Sequence, residues 1–453
     1  MPSTHPSPRH VRARPSPARA AWLTGVGIVL IAFNLRLAIS SASALLEQLR
    51  AQDGFGPVVA SLVPTLPTLC FAAVGATSAM LARRVGTERA VLLALTALCA
   101  GLAVRAVPGA AALLTGTLLG AAGLALCNVL LPAVVRDRFP DRVAWLTGVY
   151  TVAMALGSSV AAAAAVPVAG LAGSPSLGLA AWTLPALLAL AVWAARPRSP
   201  EPAAEARTPT ERVSAWSMGR TRQGMLITAY FALQSLSSYA VIGWLPSMLA
   251  DQGLGSARAG TMLGLTLAVG IPATFALMPL TRGAGRLRAA FVLVGASLVA
   301  GCLGLALAPL AAPALWAVLA GVGLSAFPLV LAVITTGGRS AQETAALSTF
   351  AQSTGYLVAS AGPLGIGLLR SVTGRWDAPL AVLIALAVVQ CLVGLALTAR
   401  TTGRDSTVQG VRDNVHEMRD DVQHVRPTGG SIPGRGRSSR EPGCRERSRS
   451  WGR

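Results

Sequence analysis

AWLTGVGIVLIAFNLRLAISSASALL, residues 21–46, is an apolar run with one arginine near its middle. Crossing a bilayer takes about 20 apolar residues of helix, so the run reads as a membrane span. Arg36 then lies deep in the membrane, where an arginine costs roughly 2.5–3.5 kcal/mol on insertion scales. Such a residue faces a bundle interior or a water-filled cavity rather than lipid. Arg36, Ser40 and Ser43 fall at i, i+4 and i+7 and share one face, while Asn34 points about 200° round the helix, toward a neighbour. Arg36 is the leading substrate contact; the competing reading is a structural arginine that caps carbonyls of a broken helix.

The rest of the chain has the same character. Of 453 residues, 53% are hydrophobic and 12% charged, against about 25% charged in soluble domains. This composition is that of a polytopic membrane protein. The net charge is +20 and the chain has no lysine, which reads as the codon bias of a GC-rich genome. Most arginines lie in tails and loops, so the positive charge reports topology and anionic headgroups; nucleic acid is the weaker reading. Six cysteines are scattered without metal-ligand spacing, and five lie in apolar stretches where a cysteine is a small buried hydrophobe. No disulfide, metal or cofactor is expected.

Hydropathy predicts an all-α integral membrane protein of twelve spans in two six-helix halves. Residues 1–20 form a basic, disordered tail. A cleaved signal peptide is disfavoured because the apolar run is too long and contains Arg36. The first half, 21–195, holds spans at 21–46, 57–81, 89–107, 110–135, 143–170 and 176–195. A Pro-, Glu- and Arg-rich linker, 196–222, follows. The second half, 223–399, holds spans at 223–249, 257–280, 289–308, 313–336, 346–369 and 378–399. Residues 400–453 form a basic tail, in which Val408, Val411, Val415, Met418, Val422 and Val425 make a helical stripe. A short coiled-coil seam, a lone amphipathic helix over 408–425, or disorder would each fit it.

Arginines set the orientation. One side carries the N-terminal tail, Arg83, Arg84 and Arg89, then Arg136, Arg138 and Arg142, the linker, and Arg282, Arg286 and Arg288. The other carries Arg50, Arg105, Arg258, Arg370 and Arg375. Both termini are expected on the cytoplasmic side of the inner (cytoplasmic) membrane, and an even number of spans agrees. A repeat at a spacing of about 200 residues sets Arg83–Arg89 before span three against Arg282–Arg288 before span nine. Two six-helix halves joined by a long cytoplasmic linker are the pattern of major facilitator transporters.

Several polar residues fall inside spans. Asn128 lies amid Gly116, Gly120, Gly123 and Pro132; the glycines suggest close helix packing, and Asn128 faces either a cavity or another helix. Gln234 and Ser238 share a face in span seven, near Tyr239. Trp244 reads as an interface anchor. In span eleven Ser348, Gln352, Tyr356 and Ser360 recur every four residues, a stripe better placed in a cavity than in lipid. Glu47, Asp53, Glu88, Asp137, Asp141, Asp251, Glu343 and Asp377 all sit at span ends or loops. The carboxylate relay of proton-coupled transporters is thus missing, and Arg36 is unopposed.

The chain resembles the cyanate and nitroimidazole transporter family of the major facilitator superfamily. The resemblance rests on FNLRLAISS (33–41), PTLPTLCFAAVG (64–75) and NVLLPAVVRDRFPDRVAWLTGVYTVAMALG (128–157). It continues in YFALQSLSSYAVIGWLPSMLADQGLGSARAG (230–260), LAVGIPA (267–273) and ETAALSTFAQSTGYLVASAGPLGIGLL (343–369). It implies the twelve-helix fold and transport of small compounds. It also implies a central site at or near Asn34, Arg36, Asn128, Gln234, Tyr239, Gln352 and Tyr356. One departure is Arg83, which stands where the superfamily's loop motif has an acid, so a gating ion pair built on that acid is in doubt.

The expected protein is a monomeric secondary transporter of a small polar or anionic compound, working by alternating access, with lipid and substrate as its partners. Glycine and proline kinks in spans four, eight and eleven would allow the bending. An exporter of drugs or metabolites on the same fold is the alternative, favoured by a wide aromatic cavity. An enzyme is not expected, since His5, His10, His416 and His424 are all in the tails.

Overall fold

Apolar segments in a bilayer must satisfy their backbone groups internally, and helices do so within one segment. The computed structural model describes residues 17–196, 214–281, 283–338 and 340–399, and among them it contains helices and no strand. Expectations for the remaining residues, including most of the linker and the stripe at 408–425, lie outside this set.

The first group of helices is α1 (Pro17–Asn34), α2 (Leu37–Asp53), α3 (Pro57–Val85), α4 (Thr87–Val104), α5 (Ala110–Arg138), α6 (Val143–Ala172), α7 (Pro175–Ala181) and α8 (Thr183–Ala195). A short α9 (Ala215–Met218) follows within the expected linker. The second group is α10 (Arg222–Asp251), α11 (Ser256–Leu277), α12 (Ala284–Leu307), α13 (Pro313–Leu324), α14 (Ala326–Gly337), α15 (Ala341–Ala359), α16 (Ala361–Thr373) and α17 (Asp377–Ala399). Eleven of the resulting spans are long and apolar enough to cross a membrane. The remaining expected span, 346–369, is helical as α15 and α16, but its serines, glutamine and glycines make it too polar for that class.

The breaks fall in unexpected places. Spans one, six, ten and eleven are each interrupted, at Leu35–Arg36, Trp182, Ser325 and Ser360. By contrast α5 and α11 run as continuous helix through Pro132 and Pro272. Of the three spans expected to bend, only the eleventh shows an interruption.

Glycines let neighbouring helices touch at the backbone. A Cβ on Gly101 would lie 2.6 Å from the Gly116 carbonyl oxygen, and one on Gly123 would lie 2.9 Å from the Leu98 nitrogen, so α4 and α5 pack with no side chain between them. Likewise Gly157 on α6 leaves no room for a Cβ beside the Phe33 carbonyl on α1. The helices before and after the linker meet through α6 and α11, where Ser159 Oγ donates to the Gly264 carbonyl at 2.7 Å. They also meet where Gly243 packs on Pro64, at 2.8 Å from its would-be Cβ to Pro64 Cβ, and where Gly367 packs on Ser61. Ser61, Pro64, Gly243 and Gly367 lie in the parts of their spans away from the arginine-rich ends.

Two arginines differ from their expected settings. Arg105 is not a loop cation: it is 3% exposed and reaches Ala38 of α2. Arg196 is buried at the end of α8, with its guanidinium 3.4 Å from the Trp193 ring centroid. Glu88, at the start of α4, pairs with Arg138 of α5 and with Arg196 at 3.4 Å. Thus an acid five positions after Arg83 joins three helix ends. Arg370 pairs with Asp251 at 2.9 Å. Trp244 is not an interface anchor. It is 4% exposed, donates from Nε1 to the Pro363 carbonyl at 2.8 Å, and lies 5.9 Å from the Trp376 ring.

Candidate functional site

The interruption in span one places Arg36 at an elbow. Its backbone sits at φ −122° and ψ −7°, directly before the first residue of α2. Its carbonyl accepts from the amides of Ile39 and Ser40, both at 3.1 Å. The structural reading of a broken helix is therefore correct for the backbone, but the side chain caps no carbonyl. Half-buried, its guanidinium lies 5.5 Å from the Phe327 ring centroid and 6.0 Å from that of Tyr239. Among the described residues the side chain makes no ion pair and no hydrogen bond. Aromatic faces attract a cation by about 0.5–2 kcal/mol, more as water is excluded. That steadies the charge without neutralising it.

The rings form a connected group. Tyr356 lies 6.2 Å from Tyr239, 5.3 Å from Phe71 and 5.2 Å from Phe231. Phe231 in turn lies 5.9 Å from Phe327. Both tyrosines are buried, at 4% and 5% exposure, and neither phenol hydrogen-bonds to another described residue. Gly355 makes this possible, since a Cβ there would press on Phe231. Four spans thus contribute: α3 through Phe71, α10 through Phe231 and Tyr239, α14 through Phe327, and α15 through Tyr356. Arg36 supplies the charge from a fifth.

Of the seven residues expected at the centre, Arg36, Tyr239 and Tyr356 come together. Asn34 turns away: its Nδ2 donates to the Leu30 carbonyl at 2.8 Å and to the Pro185 carbonyl of α8 at 3.1 Å. Gln234 is buried and engaged within α10, donating to Ser238 Oγ at 2.8 Å and accepting from Ser235 Oγ at 3.1 Å. Gln352 is half-buried one turn from Tyr356 and donates to Ser348 Oγ at 2.7 Å within α15. Asn128 is half-buried on α5 and has no hydrogen-bond partner among the described residues. Sequence reasoning missed Phe71, Phe231 and Phe327. A phenylalanine in an apolar run reads as core, and only the aromatic surroundings of Arg36 distinguish these three.

Among the described residues no acid reaches this group. Asp53 accepts from the Gly109 amide at 2.9 Å, Glu88 and Asp251 are paired at helix ends, and Asp377 pairs with Arg375 at 2.6 Å. Among the described residues no cluster of three metal-ligating side chains exists. What remains is a half-buried cation flanked by flat apolar faces and two free phenols. Such a group can bind a planar molecule with a negative or strongly accepting edge.

The sequence profile of the Major Facilitator Superfamily matches residues 25–363. A protein of Escherichia coli (strain K12) named 2-nitroimidazole transporter is 34% identical over 394 residues, covering 84% of this chain and 96% of that protein. The Bacillus subtilis (strain 168) protein named uncharacterized transporter YycB is 32% identical over 388 residues, 85% of this chain and 94% of that one. The cyanate transport protein CynX of Escherichia coli is 30% identical over 358 residues, 77% and 90%. In fold, the chain is similar to a bacterial homologue of the human lysosomal transporter Spinster, with TM-score 0.71 at 15% identity, covering 85% of this chain and 98% of that one. It is also similar to the nucleoside transporter NupG, with TM-score 0.65 at 11% identity over 83% and 98%.

Proposed function

The chain belongs to the major facilitator superfamily, and from that premise we propose that it moves a small planar compound, cyanate-like or nitroimidazole-like, across the cytoplasmic membrane by alternating access. The observation that carries this reading is the unpaired guanidinium of Arg36 between aromatic faces. Arg36 takes the accepting edge of the substrate, and Tyr239 and Tyr356 offer ring faces and phenol protons. Asn128 and Gln352 supply polar contacts on the arginine-rich side. Gln234 and Asn34 act as scaffold, holding α10 and the α1–α8 contact. Names given to the relatives support the substrate class.

Residues 21–195 and 223–399 then move as two bodies joined by 196–222, with both termini cytoplasmic and the protein a monomer. The meeting points at Gly243, Ser159 and Gly367 close the outer side. Residues on the opposite side, such as Tyr150, Met154 and Gln352, are half-exposed, which suits access from the cytoplasm. Carrying a monoanion inward costs about 2.3 kcal/mol per 100 mV. With no carboxylate at the centre among the described residues, exchange, facilitated diffusion or a proton carried by the substrate itself offsets that cost.

The aromatic group favours a second reading on the same fold, export of flat organic compounds. Proteoliposomes decide between them and test the first. We expect flux of 2-nitroimidazole or cyanate by wild-type protein. Absence of both, with sensitivity of protein-deficient cells to other aromatic compounds, would overturn the substrate assignment in favour of export.

A further inference from the structure

Four consecutive carbonyls after the elbow each accept a side-chain hydrogen bond. Ser40 Oγ donates to Arg36 O at 3.2 Å, Ser41 Oγ to Leu37 O at 2.9 Å, and Ser43 Oγ to Ile39 O at 3.1 Å. The fourth, Ala38 O, accepts from Arg105 Nη1 at 3.0 Å. Three of these donors belong to α2 itself, and serine back-bonding of that kind loosens and bends a helix. The donor to Ala38 comes from another span, so it ties the loosened turn to a fixed frame.

The frame around Arg105 is built to hold it. Its Nη2 donates to Thr117 Oγ1 at 3.0 Å, and Thr117 gives its own proton to the Leu113 carbonyl at 2.6 Å, leaving a lone pair for the arginine. Gly116 leaves space for the side chain, because a Cβ there would lie 2.8 Å from Arg105 Cγ. Among the described residues no acid pairs with Arg105, and its Nε finds no partner. A buried charge without a counter-ion is costly, and a methionine would fill the volume without that cost. What a methionine lacks is the rigid fork that reaches Ala38 O and Thr117 together.

We propose that Arg105 is a positioning residue for transport, fixing the turn after the elbow so that Arg36 points at the aromatic group. This rests on Arg36 being the substrate contact, and the test separates the two ideas. In purified full-length protein, hydrogen–deuterium exchange is followed at amides 37–43, with no substrate present. Arg105→Met should speed exchange there at least about tenfold and leave α12 and α17 unchanged; Arg105→Lys, which keeps the charge but not the planar fork, should restore only part of the protection. Unchanged exchange at 37–43 overturns the proposal.

Binding of 2-nitroimidazole supplies the second arm. Arg105→Met should weaken it at least about fivefold in wild-type background and less than about twofold on top of Arg36→Gln, since residues acting as one unit are not additive. Equal weakening in both backgrounds would mean that Arg105 acts independently of Arg36, and the proposal falls. If wild-type protein binds no 2-nitroimidazole, the substrate reading fails and the exchange arm alone decides. Should Arg105→Met not fold, Thr117→Val keeps the arginine and removes one of its anchors, with about threefold faster exchange at 37–43 expected; no change there overturns the proposal.

Discussion

Arg36 stands at the break in span one and Arg105 reaches the turn that follows it, and their surroundings are opposite. Arg105 is 3% exposed and tied to a carbonyl and a hydroxyl. Arg36 is half-buried and has rings for company and no hydrogen-bond acceptor among the described residues. The first directs its donors at the protein; the second keeps its donors for something else. Both lack an acid. The contrast teaches that burying an arginine does not by itself mark a ligand contact; what sets Arg36 apart is that its hydrogen-bonding capacity is left over. The ends of the bundle give a third case, where Arg138 and Arg196 share one acid, Glu88.

The contrast breaks most sharply if Arg36 is given a partner. Phe327→Asp places a carboxylate beside the guanidinium, where an ion pair at an effective dielectric of 20 is worth up to about 4 kcal/mol. Flux in proteoliposomes should fall by about two orders of magnitude, while Phe327→Leu should keep most of it. Equal loss in both variants would mean that packing at this position matters and the charge does not.

A smaller effect is expected at the paired end. Glu88→Gln removes the carboxylate that Arg138 and Arg196 share, and costs about 2 kcal/mol after allowing for the partial exposure of Arg138. Thermal unfolding in detergent should move down by several degrees, with the substrate KM unchanged. A shifted KM with intact stability would connect this end to the site and blur the distinction drawn above.

The aromatic faces come next. Tyr239→Ala should raise KM about fivefold, in line with roughly 1 kcal/mol for a lost ring contact. Tyr239→Phe separates the ring from the phenol: a change under about twofold assigns the role to the face, and a larger one to the hydroxyl. The smallest effect belongs to Asn34→Ala. It removes the bonds to Leu30 and Pro185 and should cost about 1 kcal/mol of stability without altering KM. A selective KM effect there would return Asn34 to the site.

The sequence made the spans legible because long apolar runs have few other uses, and it made Arg36 legible because burial of a cation needs a reason. It did not reveal the elbow. Leu35–Arg36, Trp182, Ser325 and Ser360 carry no proline or glycine at the break itself, whereas Pro132 and Pro272, which look like breakers, sit in continuous helix. Within a bundle, neighbouring helices decide where the ladder opens. Arg105 was misleading for a related reason. An arginine near the end of an apolar run looks like a loop cation unless one knows that Gly116 and Thr117 stand opposite it. Gln234 and Gln352 were visible as polar residues in spans, but their hydrogen bonds close within their own helices at Ser238 and Ser348. No spacing rule distinguishes that from facing a ligand.

The central claim is that the free guanidinium of Arg36 binds the substrate. Its most direct test is equilibrium binding of 2-nitroimidazole and cyanate to purified wild-type protein, Arg36→Lys and Arg36→Gln, with monodispersity as the control for folding. The account predicts weakening of at least about thirtyfold in Arg36→Gln, corresponding to a charge-assisted bond of about 2 kcal/mol, and an intermediate loss in Arg36→Lys because the planar fork is gone. Wild-type affinity in a folded Arg36→Gln protein would contradict it and leave Arg36 a structural feature of the elbow.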